Sequence, residues 1–191
     1  MGTRINVFLS HDLPRFDDAA ATIARLDGVL PEALAVRDYW RSVDPQWDPK
    51  RPPDHWEADP ANPALGDVRR YSGPGSLHVW VMPLAARIHT GGRWRGFLSI
   101  EPLRQVHLAA FRAIARAIGS PKLAICSDAR DDVADLIFYA GRSQDDCIGA
   151  LRSAFGTPQP SVDSIAPSVA AQAEHGVPLI WFLDDWRERN D

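Results

Sequence analysis

Ile5 to Leu9 is an apolar run interrupted only by Asn6 and stopped by Ser10, His11, Asp12 and Pro14, the pattern of a short buried strand and its exit turn. The period then changes. Ala20, Ile23 and Ala24 recur at helical spacing, with Asp17 or Asp18 in front as the cap and Gly28 behind as the stop. A second helix is predicted from Pro31, which suits the first helical position, through Leu34 and Val36 toward Tyr39 and Trp40.

Between Asp44 and Gly66 the periodicity fails, because Pro45, Pro49, Pro52, Pro53, Pro60 and Pro63 forbid a continuous helix or a central strand. Alternation resumes at Leu77, Val79 and Val81, with His78, Trp80 and Met82 between them. Ala85 to His89 and Trp94 to Ile100 then read as two strands of a hairpin around Thr90, Gly91, Gly92 and Arg93. Glu101 to Ile118 gathers Leu103, Val106, Ala110, Phe111, Ile114 and Ile118 on one face and Arg104, Arg112 and Arg116 on the other, an amphipathic helix ended by Gly119.

A strand is expected from Lys122 to Cys126, and helices over Asp131 to Tyr139, Ser143 to Phe155 and about Ile165 to Glu174. Leu179 to Leu183 reads as a last buried strand. The order implies an α+β domain, or a mixed-sheet α/β one, with a central mixed sheet of about five to six strands covered by helices. Residues 1–191 are expected to form a single globular domain with a Pro- and Trp-rich insertion at about 44–66.

Composition narrows the function classes. With 191 residues and 45% apolar content the chain can bury a core of its own. No uncharged apolar run approaches the roughly 18 residues of a membrane span, and the N-terminal residues lack the pattern of a secretory signal. Cys126 and Cys147 read as reduced thiols, which with these absences suggests the cytoplasm. Arginine supplies nearly all the positive charge, Lys50 and Lys122 being the only lysines, a bias expected of a GC-rich bacterial genome. A net charge of −4 argues against a nucleic-acid binder and suits a basic protein partner.

Candidate chemistry lies first at the strand ends, where Ser10, His11 and Asp12, then Ser127 and Asp128, then Asp184 and Asp185 follow apolar runs. Were those strands parallel neighbours, His11 would serve as general base, Asp12, Asp128 or Asp184 would orient it, and Ser10 or Ser127 would be the nucleophile. The alternative is that these short side chains cap helices and satisfy turn amides. His11, His55, His78, His89, His107 and His175 are scattered without metal-ligand spacing, so no metal site is expected. His107 reads as a packing residue bonded to a carbonyl. The glycines match no nucleotide loop, and no cofactor is expected.

The segment 44–66 offers a different chemistry. Trp47 and Trp56, with Asp48, Asp54 and Asp59 around them, have the composition of rigid aromatic anchors inside an acidic rim. The competing expectation is that the tryptophans fold back over the core. A second acidic surface is expected around Asp128, Asp131, Asp132, Asp135, Asp145 and Asp146.

Two functional readings follow. The first is a non-enzymatic protein-binding module, in its most concrete form an immunity-type inhibitor of a basic bacterial toxin, recognising it through Trp47, Asp48, Asp54, Trp56 and Asp59. The second is a small hydrolase or ligand-binding enzyme using His11 with Asp12 or Asp128 and Ser127, with the Pro-rich segment as its lid.

Overall fold

Alternating apolar positions in short segments have one outlet, a sheet with a buried face, and in the computed structural model of the chain such segments pair with two more polar ones in a single seven-stranded sheet. The structure describes residues 4–44, 53–60, 66–128, 133, 135, 140–165 and 180–186. Within them the strands are β1 (Arg4–Leu9), β2 (Glu57–Ala58), β3 (Arg69–Gly73), β4 (Leu77–Val81), β5 (Ala86–Arg93), β6 (Lys122–Ser127) and β7 (Phe182–Asp185). The helices are α1 (Ala19–Asp27), α2 (Leu30–Val43), α3 (Trp94–Ser99), α4 (Glu101–Ala117) and, numbered in the order described, α5 (Gln144–Phe155).

The strand order is β2-β3-β4-β5-β1-β6-β7 and all six ladders are antiparallel. The fold is therefore α+β. The sheet differs from the expected mixed one of about five to six strands for two reasons. The first strand inserts between β5 and β6, each running against it, so among the described strands no parallel ladder arises, the one parallel bridge being the isolated pair Gln159 and Phe182. And β3, with the sequence Arg69, Arg70, Tyr71, Ser72, Gly73, is too polar to register as an apolar run, although β2 and β4 both pair with it.

The expected hairpin at Thr90–Arg93 is also corrected. The turn between β4 and β5 lies at Pro83 and Leu84, where the Met82 amide donates to the Ala85 carbonyl at 2.9 Å. Thr90, Gly91, Gly92 and Arg93 continue β5, and Gly91 and Gly92 fall in a register shift opposite Arg4 and Ile5. A side chain at Gly92 would come within 3.0 Å of His107 Nε2 and 3.2 Å of Ile5 Cδ1, so this glycine permits a close approach of α4 to the strand. Trp94, Phe97 and Leu98, expected as a strand, are the buried side of α3 at helical spacing.

One face of the sheet carries the main core: Ile5, Val7, Leu9, Val79, Ile88 and Ile125 pack with Val36 of α2 and Leu108, Phe111 and Ile114 of α4. On the other face Phe8, Ala124 and Cys126 pack with Cys147, Ile148 and Leu151 of α5. Helix starts follow the capping signals. Asp18 Oδ1 accepts from the Ala21 amide at 3.0 Å, and Ser143 and Asp146 form a reciprocal capping box before α5. Both cysteines are free, and burial pushes each thiol up to about 12. Among the described residues no helix is long and apolar enough to cross a membrane. The expected helices over 131–139 and 165–174 lie largely outside the described residues.

Candidate functional site

The residues that alternate with the main core on β3, β4, β5 and β1 share the sheet's second face, and in this half they are polar. Register aligns them in a row across the strands: Ser72 opposite His78, His78 opposite His89, His89 opposite Asn6, and Asn6 opposite Cys126. A parallel row runs Arg70, Trp80, Arg87, Phe8 and Ala124. His78 and His89 are half-buried, with ring centroids 6.3 Å apart.

Hydrogen bonding fixes the tautomer of His78. Ser72 Oγ lies 2.7 Å from Asp59 Oδ1, and a carboxylate oxygen only accepts, so the single hydroxyl proton goes to Asp59. His78 Nδ1, 3.0 Å from the same Oγ, must therefore donate to it, which leaves the lone pair on Nε2. Arg70 Nε holds the other oxygen of Asp59. Ser72 is thus a spacer between carboxylate and imidazole, and its hydroxyl is not activated as a nucleophile.

The electrostatics of the row are positive. Burial first, and then the charges of Arg87 and Arg4, followed by His78 and Arg70, hold the His89 imidazole down at about 3, so it is neutral at physiological pH. His78 is lowered too, by burial and by Arg70. Arg87 is 9% exposed and donates to Asn6 Oδ1 from Nε at 3.0 Å and Nη2 at 2.5 Å. Those two bonds orient the amide and leave Asn6 Nδ2 buried without an acceptor, a state that costs about 1–3 kcal/mol. The guanidinium carbons of Arg70 and Arg87 lie 5.7 and 5.9 Å from the Trp80 ring centroid. Such a surface suits an anion, with neutral imidazoles as hydrogen-bonding groups.

Comparison of the chain with protein-family models, curated proteins and solved structures gives no match.

The strand-end constellation does not assemble. Because β1 and β6 are antiparallel, Leu9 faces Leu123 while Ile5 faces Ser127, and the Arg4 amide donates to Asp128 Oδ1 at 2.7 Å. Ser127 and Asp128 therefore sit at the far end of β1 from His11, the strand from Leu9 to Ile5 alone spanning about 13 Å. His11 Nε2 donates to the Met82 carbonyl at 2.7 Å, and Asp12 pairs with Arg25 at 2.5 Å. Ser10 bonds Ser120, and Asp184 holds Arg112 Nε at 2.6 Å. The expectation of a His11, Asp12, Asp128 and Ser127 site placed His11 beside Ser127 and Asp128 on parallel neighbouring strands; the antiparallel register separates them, and His11, Asp12 and Asp128 are instead engaged in local contacts.

The residues of the 44–66 segment divide. Trp56 is 2% exposed and packs on Gly73, so it covers the core and is not an exposed anchor. Asp54 pairs with Arg37 at 2.8 Å, and Asp59 belongs to the histidine row. Trp47 and Asp48 lie outside the described residues, as do Asp131 and Asp132. Asp145 holds Lys122, and Asp146 caps α5. His107 is a buried packing residue whose Nδ1 donates to the Leu103 carbonyl at 2.8 Å. Among the described residues no group of three His, Cys, Asp or Glu is arranged to hold a metal ion.

A groove of about 810 Å³ lies elsewhere, between residues 156–163 and the outer side of β7, and its carboxylates are Asp163, Asp184 and Asp185. Arg112 bridges Asp163 and Asp184.

Sequence reasoning missed Asn6, Arg70, Ser72, His78, Arg87 and His89 as a group. The available signal was the alternation of Leu77, Val79 and Val81 with His78 and Trp80, which marks a strand whose second face is neither core nor ordinary solvent surface.

Proposed function

We propose that the protein is a non-enzymatic binding module that takes an acidic patch of a partner protein on the polar half of its second sheet face. One observation carries this reading: Arg70 and Arg87 flank Trp80 on this face, their guanidinium carbons 5.7 and 5.9 Å from its ring centroid, and the charges that bear most on His89, those of Arg87 and Arg4, are positive, in a chain whose net charge is −4. Recognition follows local potential rather than the sum over the chain, so the partner surface matched to this face is acidic. Arginine and tryptophan, which flank the histidines here, are also the residue types that dominate binding energy at protein interfaces. The commitment of the Ser72 proton to Asp59 favours binding over acyl transfer at this row. Two free, buried thiols accord with a reducing compartment such as the cytoplasm.

A second reading keeps the basic partner and the immunity-type inhibitor, and the groove with Asp163, Asp184 and Asp185 favours it. Titration of isotope-labelled protein with oligoglutamate and with oligolysine peptides at low salt separates the two. The first reading expects oligoglutamate to shift the His78 and His89 resonances, with the response lost in Arg4→Glu. Shifts caused only by oligolysine, and confined to residues 157–163 and 183–185, would discard it in favour of the second.

A further inference from the structure

We infer that His78 and His89 together bind one divalent transition-metal ion of the zinc class, with two imidazole ligands and the remaining coordination positions open. The two residues belong to no local motif; neighbouring antiparallel strands bring them directly opposite each other. Cross-strand partners of this kind hold their Cβ atoms about 5 Å apart on the same face of the sheet. Here the ring centroids are 6.3 Å apart, with the planes inclined at 32°. A zinc–nitrogen bond of about 2.1 Å puts a ring centroid about 3.2 Å from the ion, so two rings on one tetrahedral ion have centroids about 5.2 Å apart. Side-chain rotations that close the pair by about 1 Å therefore complete the chelate.

The state of each ring suits a metal ligand. His78 donates from Nδ1 to Ser72, whose own hydroxyl proton goes to Asp59, so Nε2 keeps its lone pair and the ring is braced. Metal-binding histidines are characteristically held in this way, the second nitrogen donating toward a carboxylate. His89 has no hydrogen-bond partner among the described residues, and neither of its ring nitrogens is sealed from solvent. Burial and nearby arginines keep both imidazoles neutral at physiological pH, so no proton competes with the ion. A nitrogen pair selects zinc, copper or nickel over magnesium and calcium, which require oxygen ligands. Positive charge nearby weakens the hold on a cation, but Arg70 is balanced by Asp59, and Arg87 is turned toward Asn6 and Trp80. Among the described residues no third histidine, cysteine or carboxylate joins the pair, which leaves the other positions to water or to a carboxylate from outside. The pair binds metal whether or not an acidic partner docks on this face.

Zinc chloride is the probe, titrated into the full chain by calorimetry and followed through the histidine ring resonances. One ion per chain is expected, with the His78 and His89 rings shifting together and the other histidines unmoved. His78→Asn and His89→Asn should each abolish saturable binding, while His55→Asn, at an exposed histidine outside the pair, should leave it unchanged. Ser72→Ala should weaken binding by about tenfold or more at the same stoichiometry, because His78 loses its brace. Should a variant fail to fold, the ring shifts of the native protein decide by themselves. Zinc that moves other histidines and not this pair overturns the inference, as does binding that survives in both single variants or the absence of saturable binding. Each of those results leaves the acidic-partner reading standing. If zinc binds the pair and oligoglutamate moves neither ring, with or without the metal, that reading fails and the metal site remains.

Discussion

Trp56 lies so close to Gly73 that a methyl group on that glycine would sit 2.5 Å from the indole carbons Cε3 and Cζ3. This contact converts part of a proline-rich segment into structure. Burial of the indole draws the chain against β3, where Glu57 and Ala58 pair with Ser72 and Tyr71. One residue further on, Asp59 meets the Ser72 hydroxyl. Packing on one face of the sheet thereby sets the hydrogen bonding of His78 on the other.

Gly73→Ala is expected to destabilise the fold by about 1–3 kcal/mol, because the ring has to move and the core is already filled. Urea denaturation measures the loss. The His78 resonances of the variant should also move, since displacement of Trp56 disturbs the approach of Asp59 to Ser72. A variant with native stability and unshifted His78 would contradict the packing described.

The pair Arg112 and Asp184 joins α4 to the edge strand. The side chain of Asp184 is 4% exposed, and Arg112 Nε reaches it at 2.6 Å. Arg112→Met should cost about 3–5 kcal/mol by removing the guanidinium from a buried carboxylate. The double variant Arg112→Met with Asp184→Leu should recover a large part of that loss. Additive losses in the double-mutant cycle would show that the two groups do not act as a pair.

Ser143 and Asp146 close the start of α5 on each other. Ser143→Ala is expected to lower stability by about 1 kcal/mol, since the Asp146 amide loses its acceptor. Amide exchange should quicken first in the opening turn of α5. Unchanged exchange there would mean that the box is not formed in solution.

Acid should unfold the protein partly through histidine. His107 is fully buried, and burial lowers it to about 4 from an ordinary value of 6.5, while His89 falls to about 3. Above about pH 6.5 both groups are neutral in folded and unfolded chains, and the stability they preserve is fully present. As pH falls toward 4 and then 3, the unfolded chain binds protons that the folded one refuses, and stability drops by up to about 1.4 kcal/mol per pH unit for each group. Urea midpoints at pH 7 and 5 test this. His107→Leu should reduce the slope between them by about one proton, and an unaltered slope would place the titration elsewhere.

Much of the fold was legible along the chain because its signals are local. Asp18, Gly28, Ser143 and Gly119 mark helix ends by side-chain caps and backbone conformation that act within a turn. Most of the buried face of α4 follows from spacing, and Leu103, Ala110, Phe111 and Ile114 are buried as that spacing requires, but Arg104, expected on the opposite polar face, is buried because its guanidinium donates to the Phe97 and Leu98 carbonyls at the end of α3. The glycine pair at 91 and 92 misled because the same residue type serves a hairpin turn and a strand bulge; the choice depends on Arg4, Ile5 and His107, which are distant in sequence.

What the sequence determined by itself was the first strand, the helices α1, α2, α4 and α5, most of their buried faces and the α+β class, since periodicity and capping are contacts between near neighbours in the chain; β2, β3 and the helical state of Trp94–Ser99 were not among them. Strand partners were decided only in three dimensions. Insertion of β1 between β5 and β6 parted His11 from Asp128 and aligned Asn6 with His89, while the burial of Trp56 brought Asp59 to Ser72. Strand pairing depends on the whole set of apolar faces being covered at once, and no single stretch of residues encodes it.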